Sequence, residues 1–533
     1  AITVPYQAFD LPQLRSLRVK TDPPTVRELI SAIKALPNFK ASGVDGIPAE
    51  FYKTNPALVA EILQPLIASC WEKEEYPNDR RNYCQNPQKR RPSQLQQLAW
   101  NLCFAIYLQI RRQGDLDRLK EHLYNTIDAT QAGFRPGYSC ADHINTIRII
   151  IEQCAAFKID LHLLFIDFEK AFDSVRRDCL WAALRRRGVS EKIIRLIKAS
   201  YDGAMCRVLH KGKLSDAFEV RSGVRQGCIL SPLLFLLVVG DVLETAFYPL
   251  KNHGLRWQLN NINLKHLDYA DDICLLAEKI SHISDMANAL NTNALRAGLK
   301  INVGKTKILS LPSSSSRPVD IAGQPIEPVS SFTYLGSELA EYGGTDEDIA
   351  VRISKALKSF GMLSSVWRSS SISRRLKIKL FKSNVLSVLL YGCSTWKVTK
   401  STTNKLQVFV NRCLRNIFRI FWPNRISNEE LLRMAEMEEI DVWISRQKWR
   451  WIGHTLRKDQ QCIAKKALYW NPVSANKRPA GRPRITWRST VESELARSNI
   501  GYTFKQLGPI AQNRVRWRTA VVGALCPSRE RRT

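Results

Sequence analysis

Asp271 and Asp272 stand side by side in Leu264-Lys-His-Leu-Asp-Tyr-Ala-Asp-Asp-Ile-Cys-Leu-Leu-Ala277, with apolar residues on both flanks. The pattern reads as strand, tight turn, strand. Neighbours on a strand point to opposite faces, but a turn can bring both carboxylates to one end. Two charges among apolar residues are costly unless a cation neutralises them. Magnesium, a hard cation with oxygen ligands, suits them. For this pair alone, the alternative is an Asp-Asp turn at the tip of a surface hairpin. A further carboxylate comes from Leu161-His-Leu-Leu-Phe-Ile-Asp-Phe-Glu-Lys-Ala-Phe-Asp173, a strand that runs into Asp167. Three carboxylates from two strands can hold a pair of divalent ions about 3.5–4 Å apart, the geometry of in-line phosphoryl displacement. Asp167, Asp271 and Asp272 are thus the candidate metal ligands and the candidate catalytic residues.

The elements that must carry them follow from periodicity. Strands are expected at Leu163–Phe168, Ala204–His210 and Asp271–Leu276, and helices at Asp178–Arg187, Ser231–Ala246 and Ile283–Ala297. Interleaved strands and helices predict an α+β sheet covered on one face. Upstream, Thr25-Val-Arg-Glu28 has the form of a capping box, and Asn55-Pro56 opens a second helix. Ser313–Ser316 reads as a break, and beyond about Thr345 the pattern is helical with basic faces.

Lys and Arg number 80 against 49 Asp and Glu, a net charge of +31 over 533 residues. That excess calls for a polyanionic partner, nucleic acid before an anionic membrane. No apolar run approaches the roughly 20 residues of a spanning helix, so no membrane partner is expected. No signal peptide precedes the first motif, and the start at Ala1 rather than Met reads as a piece of a larger frame. The 13 cysteines form no Cys-x-x-Cys pair, which indicates neither a zinc knuckle nor a disulfide framework and fits a reducing, intracellular setting.

Residues 441–533 hold twenty Lys/Arg against five Asp/Glu, with six tryptophans interleaved. Basic residues between aromatic rings suit single-stranded nucleic acid, through phosphate pairing and base stacking. Lys448, Trp449, Arg450 and Trp451 are candidates on that ground. The competing reading of Arg446–His454 is an amphipathic helix with its tryptophans in a core. Lys477-Arg-Pro-Ala-Gly-Arg-Pro-Arg484 cannot be helical with its two prolines, and reads as an extended strap carrying Arg478, Arg482 and Arg484.

Taken in order, the motifs resemble the reverse transcriptase of non-LTR (LINE-type) retrotransposons, with the RTE-like clade nearest. Lys40–Glu50 resembles the N-terminal motif and Gln131-Ala-Gly-Phe-Arg-Pro-Gly137 the fingers motif. Phe165–Val175 resembles motif A, Val224-Arg-Gln-Gly-Cys-Ile-Leu-Ser-Pro-Leu-Leu-Phe235 motif B, Tyr269–Asp272 motif C and Gly298–Thr306 motif D. Tyr334-Leu-Gly-Ser337 is similar to the passage from palm to thumb. The resemblance implies a right-hand polymerase of fingers, palm and thumb with a mixed palm sheet, followed by a helical basic C-terminal region. Its expected parts are 1–160 (N-terminal extension and fingers), 161–311 (palm), 312–344 (connection), 345–440 (thumb) and 441–533 (basic, Trp-rich).

The resemblance also implies an RNA-directed DNA polymerase with two Mg2+ ions, Mn2+ being the alternative. Its partners would be an RNA template, a DNA primer or target and deoxynucleoside triphosphates. Phe172, beside Ala171, would lie under the incoming sugar and exclude a 2′-hydroxyl; an ordinary core aromatic is the alternative. Gln226 and Gly227 would let the backbone approach nucleotide and template. Lys305 would protonate pyrophosphate or be a solvated surface lysine. Arg135 would touch template or triphosphate, and Asp173 is a candidate cap for the next helix. A nuclear and cytoplasmic location and a separate N-terminal endonuclease region go with the family.

Between Arg80 and Arg112 the resemblance breaks. Where the family has Lys-Lys-Gly-Asp and Asn-Trp-Arg-Gly-Ile, this chain has Gln88-Lys-Arg-Arg-Pro-Ser-Gln-Leu-Gln-Gln-Leu-Ala-Trp-Asn101. Codons for the family residues, read one base out of register, give this run, so a frameshifted stretch is expected here, with lineage divergence as the alternative. The affected segment is the fingers hairpin that grips the triphosphate. A catalytically impaired relic that only binds nucleic acid therefore stands beside the polymerase reading. An unrelated two-metal nuclease is disfavoured by the order of motifs A to D.

Overall fold

The computed structural model describes residues 9, 11–14, 20–36, 38, 48–74, 119–120, 122–203, 205–206, 208–210, 213–225, 228–257, 263–312, 318–472, 482–498 and 500–526. The expected frameshifted stretch, Gln226, Gly227 and Arg478 lie outside them. The chain divides into two compact units, one of residues 1–128, 168–250 and 289–301, the other of 129–167, 251–288 and 302–533.

The first unit is mainly helical. The capping box at Thr25 is formed: Thr25 Oγ1 accepts the Glu28 amide and the Glu28 carboxylate accepts the Thr25 amide, opening the helix Val26–Ala35. Asn55 accepts the Leu58 amide and Pro56 begins the helix Pro56–Lys73, as its fixed φ allows. Leu29, Ile33, Leu63 and Ile67 form the core these two helices share. Helices follow at Arg177–Arg186, Glu191–Ala199 and Ser231–Phe247. Arg176, not Asp173, occupies the N-cap of Arg177–Arg186. Asp173 instead lies in the single turn Ala171–Ser174, too early in the chain to reach the next helix's free amides.

The second unit holds the sheet. Its strands are β1 (Leu161–Ile166), β2 (His266–Tyr269), β3 (Asp272–Ala277), β4 (Lys307–Leu311) and β5 (Glu327–Pro328), in the order β5-β4-β1-β3-β2. All pairs are antiparallel except β4–β5, so the sheet is mixed as expected. Leu161, Leu163 and Phe165 face the helix Cys140–Phe157 through Ile147, Ile150, Ile151 and Cys154. The intervening residues of β1 are buried too. The sheet is therefore covered on both faces where one was expected, which is why its central strand reads as a continuous apolar run rather than an alternation.

A second hairpin, β6 (Ser331–Tyr334) and β7 (Ser337–Ala340), turns through Leu335 and Gly336, both at positive φ. The helical pattern begins at Thr345, with Thr345–Met362, Lys400–Phe418 and others around Trp367, Phe381, Trp396 and Leu414. The last core joins Ile440–Leu456 to Trp487–Ser498 through Trp449, Trp451, Trp487 and Trp517. Among the described residues no helix is long and apolar enough to cross a membrane. The ten cysteines with described side chains are unbridged, and all but Cys140 are buried.

Candidate active site

Antiparallel register brings two of the three carboxylates together. Ile166 pairs with Ile273 at the end of β1 and β3, and one more residue along sets Asp167 opposite Asp272. The two carboxyls therefore come to the same end of the sheet, close enough for the charge of Asp167 to act on Asp272, although 104 residues lie between them in the chain. Asp271 belongs to the two-residue turn Ala270-Asp271 closed by the Tyr269–Asp272 pair. Ala270 has φ +61°, a left-handed conformation that costs a non-glycine residue roughly 1–2 kcal/mol.

The electrostatics are those of crowded acids. Burial, then the charges of Asp271 and Asp167, push the Asp272 carboxyl up to about 6. Burial raises Asp271 as well, and Asp167 adds to it. Asp167 Oδ2 is shielded from water and accepts no hydrogen bond among the described residues. Its nearest cation is Lys305, whose Nζ lies 3.5 Å away on a mostly exposed side chain. An orphaned buried oxygen beside two carboxyls that resist ionising is what a divalent cation would relieve. Among the described residues no three His, Cys, Asp or Glu side chains are gathered closely enough to hold a metal by themselves. A hard divalent cation that keeps waters and takes substrate oxygens needs fewer protein carboxylates than a closed cage. The residues fit a divalent ion that is completed by its substrate.

Behind the turn sits a residue that motif reading passed over. The Gln131 side-chain oxygen accepts the amide of Ala270 at 2.8 Å and that of Gly133 at 2.7 Å. Two donors at one atom also settle which end of the amide is oxygen. Ala132 donates to the Asp268 carbonyl and Asp268 to that of Thr130, so the segment adds a short parallel edge to β2. Gly133 is packed so closely that a Cβ there would overlap the Ala270 nitrogen. An amide side chain directly before an alanine and a glycine was the available signal. Arg135 braces the same loop, donating to the Gln131 carbonyl at 3.0 Å with its guanidinium over the Tyr138 ring.

In the first unit, Phe172 is half-buried and stacks on Phe235, with ring centres 4.2 Å apart. Its carbonyl accepts the Val224 amide, and a Cβ on Gly223 would meet the Asp173 backbone at 2.6 Å. The approach to motif B therefore packs directly against the backbone around Phe172, and Ala171 beside it is buried.

The C-terminal candidates divide. Lys448 is fully buried and ion-paired with Glu494 at 2.6 Å; Trp449 is buried and donates to the same carboxylate at 2.7 Å. Trp451 donates to buried Asp142 at 3.1 Å. These three cannot serve as a stacking platform. They face inward because helical spacing puts them on the apolar side of Ile440–Leu456, and the core reading of that stretch is the correct one. Arg450 and Arg482 are exposed, and Arg484 lies over the Tyr342 ring at 3.7 Å. The basic faces expected beyond Thr345 make a larger surface: residues 349–428 contain sixteen Lys/Arg and no Asp or Glu, and eleven of the sixteen are exposed. Trp422 and Phe421 are exposed beside them, with Arg425 over the Trp422 ring at 4.4 Å.

A mixed sheet with carboxylates at the end of its central strands and a two-residue Asp turn is an arrangement suited to metal-assisted phosphoryl transfer. Residues 115–339 match the family described as reverse transcriptase (RNA-dependent DNA polymerase). The chain contains a reverse transcriptase domain of the non-LTR retrotransposon kind. It is 25% identical over 518 residues to the probable RNA-directed DNA polymerase from transposon BS of Drosophila melanogaster, covering 90% of this chain and 54% of that protein. It is 27% identical over 225 residues to the Pol polyprotein of the R2DM element of the same fly, covering 41% of this chain and 20% of that protein. The chain thus spans about half the length of the first relative and a fifth of the second. Among solved structures, telomerase from Candida albicans in complex with a fragment of telomeric RNA is 14% identical, covers 64% of this chain and 60% of its own, and has a TM-score of 0.39. Residues 359–391 match a second family, a domain of unknown function.

Proposed function

We propose that this chain is the polymerase portion of a non-LTR retrotransposon protein, of the RTE-like clade, that extends a DNA primer along an RNA template. The observation that carries the proposal is the register that sets Asp167 beside Asp272, next to the Asp271 turn. Two Mg2+ ions, or Mn2+, held by Asp167 and Asp271 with a lesser part for Asp272, would supply an activated primer hydroxyl and charge neutralisation for leaving pyrophosphate. Lys305, whose Nζ lies 3.5 Å from Asp167 Oδ2, would give that pyrophosphate a proton. Phe172, held against Phe235 and flanked by Ala171, selects the deoxy sugar. Arg135, Gln226 and Gly227 belong to the nucleotide and template contacts by resemblance.

Residues 161–311 are the palm in this reading, 345–440 the thumb, and 441–533 a folded extension. The basic face of 349–428, with Arg450, Arg478, Arg482 and Arg484, takes the phosphate backbone. Deoxynucleoside triphosphates, an endonuclease region and a nuclear and cytoplasmic setting complete the proposal.

One observation favours a second reading, a relic that binds nucleic acid without polymerising. Residues 80–112 lack the family's Lys-Lys-Gly-Asp and Asn-Trp-Arg, and phosphoryl transfer depends on holding the triphosphate in line. A misplacement of about 1 Å can cost roughly a hundredfold in rate. Primer extension on an RNA template with Mg2+ separates the two. The chain as it stands should extend slowly, the chain with 80–112 restored to the other frame rapidly, and the restored Asp271→Asn variant not at all. A restored chain that fails to extend, or extends equally well without Asp271, would sink the polymerase reading.

A further inference from the structure

We infer that Gln131 is the positioning residue of the metal site, setting the conformation of the Ala270-Asp271 turn from which the carboxylates project. The inference rests on the metal-dependent reading above and deepens it. Nothing in that reading gives Gln131 a role, and the fingers motif that contains it was singled out for Arg135.

The turn has a conformational problem. Type II′ and I′ hairpin turns favour Gly, Asn or Asp where φ is positive, and this one has Ala270 at φ +61°. A residue held in such a region persists only where its surroundings over-determine it. Gln131 supplies that determination. Its side chain is 4% exposed, and its oxygen accepts the Ala270 amide at 2.8 Å. The same oxygen holds the Gly133 amide, fixing the loop to the turn at a second point. Its nitrogen faces the Ala270 carbonyl at 3.4 Å, so one side chain reads both polar groups of the strained residue.

The bracket is supported from both sides. Gly133 is the only residue type that can lie against Ala270 without displacing it, because any Cβ would overlap the turn. On the other side, Asp268 is buried, accepts from Thr130 Oγ1 at 3.3 Å and pairs with His266 Nδ1 at 2.9 Å. Gln131, buried beneath the turn, thus acts through Ala270 and decides where Asp271 begins. Partners that orient metal ligands typically matter tenfold to a hundredfold for affinity.

The test is Mn2+ binding to the full chain, followed by EPR of the free ion, with thermal melts in parallel. Asp271→Asn identifies the signal that belongs to this site. Gln131→Met, of similar volume and without the acceptor, should weaken that Mn2+ binding by about tenfold or more while still unfolding cooperatively. It should also speed amide exchange in residues 266–273 and leave the helix Cys140–Phe157 protected. Gln131→Glu, which keeps the acceptor oxygens, should fold and bind Mn2+ at least as well as the native chain. If Gln131→Met binds Mn2+ as the native chain does, the inference is wrong. If Gln131→Met does not fold, a folded Gln131→Glu that has lost Mn2+ binding overturns the inference and one that retains it supports it. If the native chain shows no Mn2+ binding sensitive to Asp271→Asn, the metal-dependent reading itself has failed, a result distinct from the others.

Discussion

Lys305 Nζ stands 3.5 Å from Asp167 Oδ2, and the Asn302 amide donates to the Asp167 carbonyl at 2.8 Å. Residues 303–305 form a turn between that hydrogen bond and the start of β4 at Lys307, and the turn carries Lys305 to Asp167. Motif D is therefore tied to motif A through backbone and charge alike. Without divalent ions the lysine is the nearest cation to the orphaned carboxylate oxygen.

That pairing predicts opposite effects of one substitution. Lys305→Gln removes a charge that repels incoming metal, so Mn2+ affinity should rise about two- to fivefold, the range of an exposed ion pair. Nucleotide addition by a chain with restored fingers should slow, because the proton donor is gone. EPR titration and single-turnover primer extension read the two. A lysine that is merely solvated would change neither.

Asp272 predicts a pH dependence with a definite sign. Its carboxyl is raised from 3.8 to about 6 in the folded chain. The native state therefore binds this proton more tightly than the unfolded state, and the contribution of Asp272 to metal-free stability falls as pH rises from 3.8 through about 6. Thermal melts in EDTA should show the native chain losing stability relative to Asp272→Asn over that interval. Mn2+ must displace the proton, so its affinity should climb over the same interval and level off above it. An Asp272→Asn chain that keeps the full native pH slope would separate Asp272 from the effect.

Folding and nucleic-acid binding should separate within the basic regions. Trp449→Ala removes a buried ring bonded to Glu494 and should destabilise by about 3–5 kcal/mol, while the molecules that stay folded keep their native affinity for nucleic acid. The triple change Arg374→Gln, Arg375→Gln and Lys379→Gln alters exposed positions. It should leave the melting temperature close to native and flatten the slope of log affinity against log salt by about 2–3 on duplex DNA, close to one per phosphate neutralised. Filter binding across a salt series checks this. An unchanged slope would mean that these three side chains are simply solvated.

Phe172 should govern sugar choice, and its neighbour should govern Phe172. In a chain with restored fingers, Phe172→Ala should admit ribonucleotides. Phe235→Leu, which removes the stacked partner 4.2 Å away, should loosen discrimination less, without touching substrate itself. Extension with each nucleotide set measures both. Native discrimination in Phe172→Ala would return that ring to the core.

The sequence alone determined the elements and the chemistry of the site. Apolar runs of strand length ending in Asp167 and flanking Asp271-Asp272, a capping box at Thr25, Pro56 after Asn55 and a helical pattern from Thr345 are local signals. They are legible because each depends on residues within one or two turns of the chain. Order along the chain was enough to recognise the family. Only the tertiary structure decided the rest. It set Asp167 opposite Asp272 through a register that no local pattern specifies, covered the sheet on both faces, and turned Lys448, Trp449 and Trp451 inward onto Glu494 and Asp142. It also brought Gln131 under a turn 139 residues away. Charge and aromatic content look the same in a sequence whether a side chain faces water or a core, because the difference lies in what packs against it. The buried bond from Gln131 to Ala270 joins segments with no shared periodicity, so it exists only once the chain has folded.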